Sequence, residues 1–243
     1  LNVQPVSNRG RVEHERAYVL HVWPYSETSL LVEIYSRAYG RLPLLAKGAR
    51  RPRSALRGLL MGFQPLSLGW SGRGEVRTLN RCEWVGGLPL LKGGGLLCGF
   101  YLNELLMRLM AREDPHEALF DQYEATLTQL LQSSDHPRIL RTFERALLRE
   151  LGYAMTLDRD ADTGDPIDPN AFYDYEPERG PVRTQGEGRL ALRGSTLLAI
   201  AGEDYREPGT LQQYKQLMRL LINHRLDHQP LYSRNVYREL QQL

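Results

Sequence analysis

The sequence has few cysteines, no long apolar run and, over one long interval, no acidic residue. Its two cysteines, Cys82 and Cys98, are too few for a disulfide scaffold or a four-cysteine zinc site, and no Cys-x-x-Cys pair occurs. No segment approaches the roughly 20 uncharged apolar residues of a membrane-spanning helix. No N-terminal segment has the order of a secretory signal. We therefore expect a reduced, cytoplasmic protein.

Motifs of common catalytic and metal sites are also missing. There is no Gly-x-Ser-x-Gly elbow and no His-Glu-x-x-His pair. The segment 158–162 begins like a calcium loop, but Thr163 stands where glycine is required and Pro169 where the closing glutamate is required. His224 and His228 are four residues apart and lack a third ligand. We predict no catalytic centre, no metal site and no cofactor.

Positive charge is concentrated in the first part of the chain. The formal net charge is only +2, yet no acidic residue occurs between Glu33 and Glu75. An anionic partner would relieve the repulsion among the cations of this interval, and nucleic-acid phosphate is the commonest such partner. A solvated charged face is the alternative. The candidate DNA-binding residues are Arg37, Arg41, Lys47, Arg50, Arg51, Arg53, Arg57, Arg73 and Arg77.

Alternating apolar residues and glycine-bearing turns predict five short strands in this part of the chain. They are predicted at Arg16–Trp23, Ser29–Tyr35, Arg41–Lys47, Gln64–Trp70 and Glu75–Val85. Five strands of this length favour a small closed barrel, and the OB-fold has this strand count and binds oligonucleotides. An SH3-like barrel is the structural alternative.

The stretch Ala46–Gly62 is predicted to be a loop with a short helix. Gly48 allows close approach of the backbone to a ligand, and arginine presents a planar fork that matches phosphate oxygens. Single-strand binders also stack bases on aromatic rings. Most aromatic residues here are predicted to lie in the core, with Tyr35 and Tyr39 as the stacking candidates.

After Pro89 the pattern becomes helical. Helices are predicted at Leu96–Met110, at Pro115–Gln132, from Asp135 or His136 through Leu151, at Thr210–Leu226 and at Ser233–Leu243. A loop or minimal sheet is predicted over Asp158–Gly188. The predicted fold class is α+β, an N-terminal five-stranded OB-fold barrel followed by a mainly α-helical C-terminal domain. The predicted domains are a disordered leader at 1–13, a barrel at 14–88 and a helical domain at 92–243.

One predicted helix carries a stripe of arginines at spacings of three and four, namely Arg138, Arg141, Arg145 and Arg149. Such spacing puts them on one helix face, opposite the apolar stripe. A solvated helix face is one interpretation. The other is a docking surface for an acidic peptide whose hydrophobic end contacts the neighbouring apolar residues.

Several short motifs occur along the chain in a family-specific order. In the N-terminal part these are Arg16–Leu20, Ser26–Leu30, Gly40-Arg41, the Ala-Lys-Gly-Ala-Arg run at 46–50, and Gly72–Val76. In the C-terminal part they are Tyr101–Leu105, Glu117–Phe120 and Arg145–Tyr153. Together these segments resemble the RecO family of recombination mediators. Many family members carry four cysteines after the Leu-Gly-Tyr of this last segment. This chain has none there, so it resembles the branch without zinc.

The resemblance implies a non-enzymatic mediator of DNA repair and homologous recombination, associated with the nucleoid. Such proteins bind single- and double-stranded DNA through the barrel, with Lys47 and Arg50 matching the motif best, and anneal complementary strands. With RecR they help load RecA onto DNA coated by single-stranded DNA-binding protein, whose acidic tail the helical domain binds. Here Arg138, Arg141 and Arg145 are the candidates for that contact, Arg141 first. The alternatives are an OB-fold RNA- or DNA-binding adaptor, a nucleic-acid-processing enzyme, and a protein-interaction scaffold.

Overall fold

The computed structural model describes residues 10–207, 209–234 and 236. The chain forms two compact units: residues 10–134 with 231–234 and 236, and Asp135–Pro230. The first unit begins with β1 (Arg11–Tyr25), β2 (Ser29–Ser36), β3 (Gly40–Ala46), α1 (Leu56–Leu59), β4 (Leu66–Ser71) and β5 (Arg77–Trp84).

The five strands close into a barrel in the order β1-β2-β3-β5-β4. β1 is long enough to pair with both β2 and β4, and its pairing with β2 shifts between Val19 and His21. Such a bulge bends a strand and increases its twist, as closure requires. β3 and β5 pair in parallel and thereby close the barrel, with Leu44 opposite Arg77. The predicted fold class, an N-terminal five-stranded barrel followed by a helical region, is confirmed.

Alternation along the strands places the apolar side chains inside the barrel. Trp70 is the largest of these, and the aliphatic residues around it are almost completely buried. Fully burying one such aliphatic side chain stabilises the fold by about 1.5–3 kcal/mol. The core residues are Ala17, Val19, Val32, Ile34, Leu42, Leu44, Ala46, Ala49, Leu60, Leu66, Leu68, Trp70 and Leu79.

Two helices, α2 (Gly93–Leu109) and α3 (Glu117–Gln132), complete the first unit together with the barrel. Tyr18 and Tyr35 face outward from β1 and β2, and their ring centroids lie 5.8 and 5.2 Å from that of Phe120 on α3. This aromatic contact covers Tyr18 and Tyr35, and both rings are buried, so Tyr35 is inaccessible. The prediction that Tyr35 stacks on bases is therefore wrong.

Asn103 of α2 joins both helices to the barrel. Its amide nitrogen donates to the carbonyl of Leu20 at 2.9 Å, and its amide oxygen accepts from the Tyr123 hydroxyl of α3 at 2.6 Å. Buried polar groups are costly unless they are hydrogen-bonded. The pairing therefore lets a polar residue lie in an otherwise apolar contact.

The segment after residue 230 returns to the first unit and is held by α2. The carboxylate of Glu104 accepts the backbone N–H of Tyr232 at 2.8 Å and that of Ser233 at 2.9 Å. Leu231, directly before them, is buried. The first unit is therefore built from two separate parts of the sequence.

The second unit contains α4 (His136–Glu150), β6 (Phe172–Glu176), β7 (Gly180–Thr184), β8 (Leu192–Arg193), α5 (Gly194–Ala201) and α6 (Thr210–Arg225). The three strands form a sheet in the order β7-β6-β8. The Asp135 side chain accepts the backbone N–H of Arg138 at the start of α4, which is the usual role of an N-cap. The sheet occupies the stretch predicted as a loop or minimal sheet.

Two predicted boundaries differ from those observed. β1 begins at Arg11, so the predicted leader is too long at its C-terminal end; residues 1–9 lie outside the described part of the chain. The helix predicted at Ser233–Leu243 also lies mostly outside it, with helical backbone described at residues 232–234 and 236. The domain limits at 88 and 92 stay a prediction, because the compact units divide at 134 instead.

We expect Gly40→Ala to destabilise the protein. Gly40 has a φ of +67°, and a Cβ there would lie 2.3 Å from the carbonyl oxygen of Asp114. Forced overpacking of this kind costs about 1–3 kcal/mol, measurable by urea denaturation. Gly74→Ala is the matched control, because a Cβ there meets nothing within 4 Å. Equal free energies of unfolding for both variants would contradict the close approach.

Candidate nucleic-acid interface

The basic loop, defined here as residues 47–57, leaves the end of β3 and leads into α1. Gly48 adopts a left-handed φ of +68°, and the backbone N–H of Arg51 donates to its carbonyl at 3.1 Å. A second turn follows, in which the N–H of Ser54 donates to the carbonyl of Arg51 at 3.0 Å. The loop is therefore internally hydrogen-bonded. Its exposed cations are Lys47, Arg50, Arg51, Arg53 and Arg57.

Arg50 fastens the basic loop to the turn between β1 and β2. Its backbone N–H donates to the carbonyl of Thr28 at 2.9 Å, and its guanidinium donates to the carbonyl of Ser26 at 2.8 Å. The two most specific family motifs, around Ser26–Leu30 and 46–50, thus contact each other directly. Arg50 therefore stabilises the position of the basic loop as well as contributing a positive charge.

Five of the nine candidate cations have side chains without an ion pair or hydrogen bond in the described part of the chain: Lys47, Arg51, Arg53, Arg57 and Arg73. All five are exposed. Unneutralised charges of one sign destabilise a compact surface, and phosphate binding removes that cost. These five residues are the strongest candidates for contact with a polyanion.

Three other candidates are bound by carboxylates within the first unit. Arg37 donates to Asp121 at 3.0 Å and also pairs with Glu117; the hydrogen bond to Asp121 raises the pKa of Arg37. Arg77 pairs with Glu113 at 2.7 Å. The positive charges of these two residues and of Arg41 are therefore already compensated within the first unit, by α3, by the α2–α3 connection and by β2 respectively. Their contact with DNA stays a prediction.

Glu33 is the buried partner of Arg41. This fully buried carboxylate on β2 accepts from Arg41 at 2.6 Å and from Arg112 at 3.1 Å. Arg41 also donates to the carbonyl of Met110, at the end of α2. A buried carboxylate is tolerable only when it is paired. The cluster consequently ties β2 and β3 to the connection between α2 and α3.

The aromatic residues are arranged differently from the prediction. Tyr39 packs edge-on against Trp70 of the barrel core, with ring centroids 5.3 Å apart. On the barrel strands the large exposed rings are instead those of Trp23, Tyr25 and Trp84. The sequence pattern missed them because nothing in it shows which part of the outer barrel surface the helices leave uncovered.

The arginine stripe on α4 is not a solvent-exposed face. Arg141 is only 6% exposed and pairs with the buried Glu144. Arg145 donates to the carbonyl of Ile200 at 3.0 Å, at the end of α5, where a helix carries partial negative charge. Arg138 is exposed and lies over the ring of Tyr205, 5.4 Å from its centroid. The interpretation as a solvated helix face is therefore wrong for Arg141, which is buried, and the docking of an acidic peptide on α4 stays a prediction.

The described residues contain no group of three or more His, Cys, Asp or Glu side chains that could hold a metal ion. His224 contacts Glu178 at 3.3 Å. Burial raises the pKa of the Cys82 thiol to about 11, which keeps it protonated and poorly nucleophilic at neutral pH. None of the helices in the described ranges is long and apolar enough to cross a membrane.

Fold and site together define a class of protein: a closed five-stranded barrel with a cation-rich loop, followed by a helical region. Two family models match the chain, "Recombination protein O N terminal" over residues 11–88 and "Recombination protein O C terminal" over residues 93–235. The chain therefore belongs to the RecO family of DNA repair proteins.

Curated relatives cover the whole chain. The DNA repair protein RecO of Aromatoleum aromaticum is 55% identical over 98% of this chain and 100% of its own length. The RecO proteins of Dechloromonas aromatica and Nitrosospira multiformis are 52% and 50% identical, each over 97% of this chain and 99% of their own length. The resemblance noted in the sequence is confirmed.

We expect Glu33→Gln to destabilise the first unit. The substitution leaves Arg41 without its carboxylate partner. The cost should be about 2 kcal/mol, below the ~3–5 kcal/mol of a fully buried pair because Arg112 is half exposed. Glu117→Gln is the control, since it removes an exposed pair worth about 0–1 kcal/mol. Thermal and urea denaturation measure both; a smaller loss in Glu33→Gln than in the control would contradict the buried role.

Proposed function

We propose that this chain is a non-catalytic mediator of DNA repair and homologous recombination that binds single- and double-stranded DNA and anneals complementary strands. With RecR, it helps load RecA onto DNA coated by single-stranded DNA-binding protein. It requires no cofactor and acts in the cytoplasm at the nucleoid. One observation carries the DNA-binding part: among the described residues, the cations of the basic loop have no counterion, while other arginines of the barrel have one.

The mechanism is electrostatic. The basic loop and Arg73 neutralise phosphates of two strands, which lowers their mutual repulsion and lets bases find their complements. Binding of this kind is sequence-tolerant and weakens steeply with salt, because each phosphate contact releases counterions. Nothing in this scheme consumes ATP or needs a metal. Strand annealing that proceeds in EDTA and without ATP would therefore distinguish the proposed mediator from a nucleic-acid-processing enzyme.

We expect simultaneous replacement of Lys47, Arg51 and Arg53 by alanine to weaken DNA binding at least about tenfold at low salt. The slope of log affinity against log salt should fall by about 2 for single-stranded DNA, at about 0.7 per lost phosphate contact. Fluorescence anisotropy with labelled oligonucleotides over a salt series measures both. Arg50 is left intact because it also fastens the loop.

Arg37→Ala is the matched control for this experiment. It removes an arginine of the same barrel that already pairs with Glu117 and Asp121, so the salt slope should stay at the wild-type value. A triple variant whose slope equals that of wild type would show that the basic loop does not contact phosphate.

The second unit is the proposed site for the acidic tail of single-stranded DNA-binding protein. Arg138 and the ring of Tyr205 together offer a positive charge beside an apolar surface. Arg145 lies on the same helix face but is already engaged with α5. Arg141 would reach a peptide only if its contact with Glu144 were exchanged for one with the peptide.

We expect Arg138→Glu to weaken binding of an acidic peptide with an apolar C-terminal residue about tenfold, because it reverses a charge at the site. Naked-DNA binding should not change. Isothermal titration calorimetry measures the peptide, with Arg189→Glu, an exposed residue of the same unit, as the control. Peptide affinity that survives Arg138→Glu would place the tail elsewhere. Arg141→Glu is unsuitable because it would put a second carboxylate beside buried Glu144.

A further inference from the structure

Three strands present an apolar row on the outer surface of the barrel. Trp23 of β1 pairs in register with Leu31 of β2, which pairs with Leu45 of β3. Their sequence neighbours, among them Val22 and Leu44, pack into the barrel core. Since successive side chains of a strand point to opposite faces, the row faces outward.

The row is open to solvent at its aromatic end. Trp23 is 37% exposed and Tyr25, two residues further along β1, is 54% exposed. The imidazole of His21 packs against the Trp23 indole with ring centroids 4.4 Å apart. The indole thus contacts one neighbouring ring while more than a third of the residue stays accessible to a ligand.

The basic loop lies at the same end of the barrel. β3 ends beside the start of β2, where Ala46 pairs with Leu30, and Lys47 follows at once. Arg50 binds the carbonyl of Ser26, the residue directly after Tyr25. The exposed rings and the unpaired cations therefore lie at the same end of the barrel, where the β1–β2 turn also carries the exposed carboxylate of Glu27.

We propose that Trp23 and Tyr25 stack on the bases of single-stranded nucleic acid whose phosphates lie on the basic loop. This inference rests on the proposed DNA-binding function. Single-strand binders combine a cationic track with aromatic rings in this way, and the rings contribute because unpaired bases expose their faces. In a duplex the bases are stacked on each other, so the same rings add nothing. The surface therefore favours single strands over duplex.

The occupant is a nucleic acid rather than an apolar peptide, and charge complementarity is the reason. Lys47 and Arg51 beside the rings have no counterion in the described part of the chain. A polyanion with planar apolar groups at regular intervals satisfies both features, whereas an apolar peptide would leave the cations uncompensated.

The test compares Trp23→Ala and Tyr25→Ala with wild type on a labelled oligo(dT) and on a duplex of equal length. We expect each substitution to lower single-strand affinity about 5- to 100-fold, the range found for loss of one stacked base. The salt slope and duplex affinity should stay at the wild-type values, because no phosphate contact is lost. Trp23→Phe should retain most of the affinity, which separates stacking from a folding defect.

Trp84→Ala is the matched control. Trp84 is an even more exposed indole, at 58%, but it lies on β5, which pairs with neither β1 nor β2. Its removal should not change single-strand affinity. Equal losses in Trp84→Ala and Trp23→Ala would overturn the assignment, as would an unchanged affinity in Trp23→Ala.

Intrinsic fluorescence gives a second readout. In a Trp84→Phe variant the remaining indoles are buried Trp70 and exposed Trp23. Oligo(dT) should quench this emission and duplex should not. If wild type binds DNA with a steep salt slope but neither quenching nor loss in Trp23→Ala is seen, the stacking surface is refuted while the proposed function stands. If wild type binds no DNA, both are refuted.

Discussion

Carboxylates of the α2–α3 region decide which barrel cations are available to a ligand. Glu113, Glu117 and Asp121 neutralise arginines on the β2–β3 turn and at the start of β5, and buried Glu33 holds Arg41. These ion pairs join the α2–α3 region to the barrel and neutralise the barrel arginines on that side. The basic loop has no such partner. Which cations of the candidate site stay without a counterion thus depends on the position of the α2–α3 region as much as on the composition of the barrel.

Much of the barrel could be predicted from the sequence because strand formation is local. The alternation of Leu30, Val32 and Ile34 and the turn at Gly40 indicate strands and their inward faces without knowledge of the rest of the chain. The contact between the two family motifs was not predicted from the sequence. The structure shows it, because Arg50 hydrogen-bonds across to the β1–β2 turn.

What the sequence could not predict depends on contacts between distant segments. Arg37 and Glu117 are 80 residues apart, so no local pattern shows that they pair. Helical spacing predicts that Arg141 lies opposite the apolar stripe of α4. In the structure α4 is buried on more than its apolar side, and Arg141 is buried with it. Trp23 and Tyr35 are both aromatic residues of predicted strands, and the sequence alone does not show which of them is exposed. Only the position of α3 separates the accessible ring from the buried one.

The placement of Leu231–Ser233 against Glu104 has a consequence for biosynthesis. Domains generally fold as units in the order in which they leave the ribosome. Here the first unit stays incomplete until residues 231–233 have been translated, after the whole of Asp135–Pro230 has emerged. Until then Glu104 of α2 lacks its backbone donors. The first unit therefore completes its folding only after the second unit has been synthesised.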